Sequence, residues 1–220
     1  MMNTPSRIPS RVYECRWAEE GPPLTADLGT EFWEAAQWQA ISTQWNGEAV
    51  DPQWETSFAA RWTEDFLYFG FHSRFQNLTM VDRPLVQTRT PSLWDKEDVV
   101  EIFIAPDLKR PNRYKEFELS PSAQWIEIDL DWDRNLKNFN WAAGMESRST
   151  VNMVRRQWQA EFRVPLGSLE MKGVAAGTCV ALNAYRVELR SCLYLAWNPT
   201  MTPKPDFHVP QRFGQMFLSQ

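Results

Sequence analysis

The fold is decided above all by residues 98–104, which read DVVEIFI. Their β-branched and aromatic side chains are typical of a strand, and successive side chains of a strand point to opposite faces. Alternation places Val100, Ile102 and Ile104 on one face and Glu101 on the other. We expect the apolar face to line the core and Glu101 to point to the outer or concave face of a sheet.

On either side of this segment, ten more segments are strand-like and are separated by clusters of Pro, Gly, Asn and Asp. They are residues 12–17, 57–62, 66–73, 114–120, 124–131, 142–149, 158–164, 178–188, 193–197 and 214–218. The pairs 57–62/66–73 and 114–120/124–131 read as hairpins, and Thr30 is placed to cap a short helical turn. We predict an all-β chain, a jelly-roll-like antiparallel β-sandwich of two sheets with few short helical turns.

The chain of 220 residues suits one domain, which we expect to span residues 1–220 with a core at about 12–218. The net charge of -5 excludes a broad basic surface for nucleic acid. No segment is apolar enough to suggest a membrane span. Residues 1–11 show no signal peptide, so we expect a cytoplasmic protein, or a secreted or periplasmic one if a leader has been removed.

Aromatic residues are unusually frequent, with 12 Trp and 13 Phe, which is more than one core needs. Alternation also groups Glu116 with Glu118 in one strand, and Glu127 with Asp129 in the next. We expect three strands to offer carboxylates on one face beside aromatic rings. That face is either a solvated surface or a shallow groove for sugars, whose C–H faces stack on rings and whose hydroxyls bond to carboxylates.

Residues 93–104, which read LWDKEDVVEIFI, resemble the signature strand of the family 9 carbohydrate-binding modules of the DOMON-like class. Residues 66–69, 160–165, 197–199 and 212–214 resemble other family motifs in the same order. The resemblance covers roughly residues 24–218 and implies a β-sandwich that binds sugar.

The resemblance also implies the site residues. Trp94 matches a ring that stacks on the end of a glucan or xylan chain, Glu101 matches a carboxylate that bonds to sugar hydroxyls, and Phe207 stands where the family has its second ring. Glu118 occupies the position of a family arginine that contacts sugar. We expect further contacts with the sugar from three neighbouring side chains, namely Asp98, Glu118 and His208.

The predicted function is therefore non-catalytic binding of a mono- or oligosaccharide in support of polysaccharide breakdown, with glycoside hydrolases as expected partners. The resemblance implies structural calcium, for which Asp131 and Asp133 are weak candidates. We predict no other cofactor.

Three other functions stay open. Glu101 and Glu118 on neighbouring strands suit a glycoside hydrolase pair. Haem ligation would use His208 with a methionine, for which Met153, Met171 and Met201 are available. Exposed aromatic rings also suit a protein-interaction module.

Overall fold

The computed structural model describes residues 11–81, 88–171 and 173–220. One short helix, α1 (Glu31–Glu34), and fourteen strands lie in these ranges. The strands are β1 (Val12–Trp17), β2 (Gln39–Ile41), β3 (Thr43–Gln44), β4 (Thr56–Trp62), β5 (Phe66–Arg74), β6 (Val99–Ala105), β7 (Arg113–Leu119), β8 (Trp125–Asp131), β9 (Leu136–Asn138), β10 (Glu146–Asn152), β11 (Gln157–Pro165), β12 (Cys179–Glu188), β13 (Leu193–Ala196) and β14 (Gly214–Ser219). No helix in the described ranges has the length and apolar character needed to cross a membrane.

The prediction of an all-β chain is confirmed, and all eleven predicted strands overlap observed ones. The largest shift is at β10, which begins at Glu146 rather than at residue 142. The strands β2, β3 and β9 were not predicted, because two or three residues are too short to show alternation. The expected helical turn is present, although Thr30 makes no side-chain capping bond.

The strands form one continuous sheet in the order β10-β11-β5-β4-β1-β14-β12-β6-β7-β8-β9. β13 pairs with β12 and β3, and β2 pairs with β4. The expectation of two purely antiparallel sheets is wrong at β1, which runs parallel to both β4 and β14. Because β1 hydrogen-bonds on both sides, it joins the two halves into a single mixed sheet.

The sheet curls around a shared core. The rings of Phe117 in β7 and Phe162 in β11 have centroids only 6.3 Å apart, although six strands separate β7 from β11 in the sheet order. Val100, Ile102 and Ile104 of β6 lie fully buried in this core, as their alternation predicts. The opposite face of β6 therefore carries Glu101 away from the main core.

That opposite face carries a second apolar cluster, which positions the site described below. Phe103 of β6, Tyr114 of β7 and Tyr185 of β12 lie in it. Residues 197–213, between β13 and β14, contribute Phe207 and Phe213 to the same cluster. This long segment therefore covers one side of the sheet.

The prediction that β8 adds carboxylates to the acidic face of β6 and β7 is wrong. In the hairpin register, Ile126 lies opposite Glu118 and Ile128 lies opposite Glu116. Residues directly opposite each other share a face, so the apolar side of β8 joins the acidic side of β7. Glu127 points to the other side, where its carboxylate accepts hydrogen bonds from the backbone N–H groups of Ala143 and Met145.

Candidate functional site

A pocket of about 250 Å³ opens on the face that bears the second apolar cluster. Its floor is formed by acidic residues of β6 and β7, and its walls include aromatic residues from chain segments far apart in sequence. Five of the six predicted sugar contacts line it, namely Trp94, Glu101, Glu118, Phe207 and His208. The sixth, Asp98, does not.

Three glutamates make up the acidic floor. Glu101 of β6 pairs in register with Glu118 of β7, and Glu116 lies two residues before Glu118 on the same face. They are 3%, 1% and 3% exposed, respectively. One carboxylate oxygen from each of the three can be chosen so that all three oxygens lie within 4.8 Å of one another. Such close acidic groups repel each other unless protons or a cation compensate their charge.

Burial is the main cause of the raised pKa values of these three carboxyl groups. It raises the pKa of Glu101 well above its ordinary value, and the neighbouring Glu116 carboxylate raises it further. Burial raises the pKa of Glu118 as well, with Glu101 and Glu116 adding to the effect. The pKa of Glu116 is raised to about 7, again chiefly by burial, while the charge of Lys137 opposes the rise.

Phe207 forms an aromatic wall that is held in place from behind. Its ring stacks on Tyr185 with centroids 4.1 Å apart and planes 11° apart. The Tyr185 hydroxyl donates to the backbone carbonyl of Phe207 at 3.0 Å and accepts from Asn183 at 2.7 Å. Tyr194 meets the Phe207 ring edge-on, with centroids 6.4 Å apart. The position of Phe207 is therefore fixed by β12 and β13.

Trp94 comes from a different part of the chain. It lies in a 3-10 turn, Leu93–Asp95, directly before β6. Ser92 precedes the turn in the left-handed backbone region, with a φ of 54°. The Trp94 side chain is half-buried and packs against the second apolar cluster. It is thus not a core residue, and it lines the same pocket as Phe207.

His208 is held by three aromatic neighbours. Its ring stacks on Phe103, with centroids 5.3 Å apart, and its Nδ1 lies 2.7 Å from the Tyr114 hydroxyl. That hydroxyl accepts from the indole N–H of Trp132 at 2.7 Å, so its own proton is free to be donated to His208. Burial lowers the pKa of His208. These contacts favour a neutral imidazole that carries its proton on Nε2.

Asp98 is fully buried and has a structural role. Its carboxylate accepts hydrogen bonds from the backbone N–H groups of Leu189 at 3.0 Å and Thr79 at 3.2 Å. Asp98 therefore does not line the pocket, although the sequence placed it among the sugar contacts. Asp98 instead ties the start of β6 to two neighbouring segments.

The calcium candidates from the sequence, Asp131 and Asp133, already contact other polar side chains. Asp131 Oδ2 lies 3.3 Å from Arg110 Nη2 and 3.8 Å from Arg134 Nε, so positive charge already faces this carboxylate. Asp133 accepts a hydrogen bond from Asn112 at 2.7 Å. Within the described ranges, only the cluster of Glu101, Glu116 and Glu118 brings three potential metal-binding side chains this close together.

The haem alternative also lacks a geometric basis. Met171 belongs to the main core, whereas Met153 and Met201 are exposed. In the described part of the chain, none of these methionines lines the pocket beside His208.

Several pocket residues were missed from the sequence. Glu116 was placed on the same face as Glu118 but was not singled out, although two glutamates at alternate positions of an otherwise buried strand are a signal. Tyr194, which lines the pocket, carries no such signal, and neither does Tyr185, which supports Phe207 from behind, because both contacts depend on the path of residues 197–213. Lys137, in the short β9, also lines the pocket.

Comparison with known proteins is consistent with this architecture. The family model described as carbohydrate family 9 binding domain-like matches residues 26–220. A search of curated proteins found no match. A solved structure from Bacteroides uniformis, of a protein with a suggested carbohydrate-binding role, has a TM-score of 0.75 and 16% identity, covering 96% of this chain and 100% of that one.

Two further solved structures are of a family 9 carbohydrate-binding module from Caldicellulosiruptor kristjanssonii. The complex with glucose has a TM-score of 0.63 and 13% identity, covering 94% of this chain and 95% of that one. The complex with cellotriose has a TM-score of 0.63 and 12% identity, covering 95% and 94%. Identities this low show a shared fold, whereas the family model covers most of the sequence. The chain therefore belongs to the carbohydrate family 9 binding domain-like family.

Proposed function

We propose that this chain binds a mono- or oligosaccharide in the pocket and does so without catalysis. The observation that carries the proposal is that aromatic rings and buried carboxylates line one and the same pocket. In it, Trp94 and Phe207 contact the apolar C–H faces of a sugar ring. Glu101 and Glu118 receive hydrogen bonds from the hydroxyls at its edge.

The chemistry of the lining suits a sugar better than a purely apolar ligand. Ring stacking satisfies the C–H surface of a pyranose, and carboxyl oxygens can accept hydrogen bonds from its hydroxyls. At about 250 Å³, the pocket is near the lower end of ligand sites, which run from roughly 300 to 1,000 Å³. The ligand is therefore a single sugar ring or the end of a chain.

Family membership supports a glucose-like ligand, because a related module has been solved with glucose and with cellotriose. We infer a role in polysaccharide breakdown, with glucan or xylan as the polymer and glycoside hydrolases as partners. Small solvated sites lose much of their binding energy to water, so we expect a Kd of roughly 10⁻⁵ to 10⁻³ M.

Isothermal titration with glucose, cellotriose and xylotriose tests the proposal. We expect saturable binding to the wild-type protein, and binding at least ten-fold weaker in Glu101→Gln, which keeps the shape of the side chain. Hydrolysis of nitrophenyl glycosides that is lost in Glu101→Gln would instead favour the enzyme. Absence of sugar binding together with a large assembly in light scattering would favour the protein-interaction module.

A further inference from the structure

The acidic floor of the pocket has the dimensions of a cation site. One oxygen from each of Glu101, Glu116 and Glu118 lies within 4.8 Å of the other two. Calcium binds oxygen ligands at about 2.3–2.6 Å, so two ligands of one ion are at most about 5 Å apart. All three carboxylates can therefore reach the same ion with small side-chain adjustments.

Two oxygens of this cluster are buried and lack a partner. Glu116 Oε2 and Glu118 Oε2 are inaccessible to solvent and have no hydrogen-bond partner among the described residues. An unpaired buried polar atom costs about 1–3 kcal/mol, and more when it is charged. Both side chains are more than nine-tenths buried and line the floor of the pocket. These unpaired oxygens are the independent sign that a ligand binds at the floor of the pocket.

Among the described residues, no lysine or arginine forms an ion pair with the three carboxylates. Within the described ranges, the nearest ion-pair contact to the three carboxylates is His208, whose Nδ1 is 4.0 Å from Glu116 Oε2. Lys137 lines the pocket, but its ammonium lies 4.6 Å from the centroid of the Trp132 ring. The Lys115 ammonium belongs to the other face of β7, where it forms an ion pair with Asp129.

We propose that Glu101, Glu116 and Glu118 bind a divalent cation of the calcium type at the floor of the pocket. The donor set consists only of carboxylate oxygens, which calcium prefers, and offers three to six of the six to eight ligands that it takes. Resting on the proposed function, we further infer that two neighbouring hydroxyls of the sugar fill the remaining positions.

Calcium alone, titrated into protein freed of metal with a chelator, tests the cation site directly. We expect one calcium per chain by equilibrium dialysis and a rise in melting temperature. Binding should be at least ten-fold weaker in Glu118→Gln and in Glu116→Gln. Asp133→Asn, which alters the acidic position expected from the sequence, is the matched control and should bind like the wild type.

Terbium, a luminescent substitute for calcium, reports on the location of the ion in the wild-type protein, so this test does not depend on the folding of the glutamine variants. Excitation of tryptophan should sensitise terbium in the wild-type protein, and Trp94→Phe should reduce that signal. Absence of calcium binding by the folded wild-type protein would overturn the proposal. Calcium binding that survives in both glutamine variants would overturn it as well. In the former case the three carboxyls share protons instead.

Sugar titrations with calcium and with chelator separate this inference from the proposed function. Stronger sugar binding with calcium supports both. Sugar binding by a chain that binds no calcium overturns the cation site and leaves the proposed function intact. Calcium binding without any sugar binding supports the cation site and counts against the proposed function.

Discussion

Replacing Trp94 with alanine is the sharpest test of the pocket. The ring lies on the short turn before β6, is half-buried, and lines the pocket that Phe207 also lines. Because the ring is only half-buried against the second apolar cluster, its loss should cost less stability than the roughly 3–5 kcal/mol typical of a core tryptophan. The fold should therefore survive the substitution, while one wall of the pocket is removed.

The loss of affinity follows from the area that a sugar covers. An aromatic side chain buries about 150–250 Å² in full, so one free face of a half-buried indole offers roughly 60 Å². At about 25 cal/mol per Å², stacking on that face contributes about 1.5 kcal/mol. A free-energy difference of about 1.4 kcal/mol is a factor of ten, so Trp94→Ala should weaken sugar binding about ten-fold.

Isothermal titration of both proteins with cellotriose measures this difference, and circular dichroism checks the fold. Trp17→Ala is the matched control, because Trp17 is also half-buried and lines a separate pocket beside Trp62. Equal affinity of Trp94→Ala and the wild type would refute the reasoning. A loss confined to Trp17→Ala would move the sugar to that second pocket.

Three further predictions concern stability. Phe207→Ala should lower the free energy of unfolding by about 3 kcal/mol in urea titration, since the ring is buried against Tyr185; a loss below about 1 kcal/mol would contradict that packing. Glu188→Ala should cost about 3 kcal/mol in the same assay, because it removes the carboxylate that forms an ion pair with the fully buried Arg186; unchanged stability would contradict this account of the ion pair. Burial lowers the pKa of His72, so the unfolded chain takes up its proton first and stability should fall as pH drops below about 6.5; the urea midpoint of His72→Gln should vary less between about pH 7.5 and pH 5.5, and an equal dependence would argue against it.

The strands could be predicted from sequence because their signal is local. In β6, the alternation of Val100, Ile102 and Ile104 with Glu101 is visible within seven residues and requires no knowledge of neighbouring strands. The parallel pairing of β1 could not be predicted in this way. It brings Val12 beside Gln215, residues from opposite ends of the chain, and no local pattern encodes such a contact.

The error at β8 shows where alternation is insufficient. The two sides of β8 were separated correctly, but polarity alone does not say which side faces the pocket. The hairpin register decides this, and it places Ile126 opposite Glu118. Glu127 is buried on the other side, where backbone N–H groups rather than a ligand satisfy its carboxylate. A buried acid is thus not by itself a sign of a binding site.

The same reasoning explains why the acidic floor could be located but not interpreted from the sequence. Alternation places Glu116 and Glu118 on one face, and that pattern is equally compatible with carboxylates in water. Their burial depends on two segments from other parts of the chain, namely the turn that carries Trp94 and the segment that carries Phe207. Once covered, the carboxylates lose hydration and must gain protons, a cation or ligand hydroxyls in its place. The resemblance to family 9 modules implies an arginine at the position where this chain has Glu118. The ligand and any ion in this pocket must therefore suit an acidic floor.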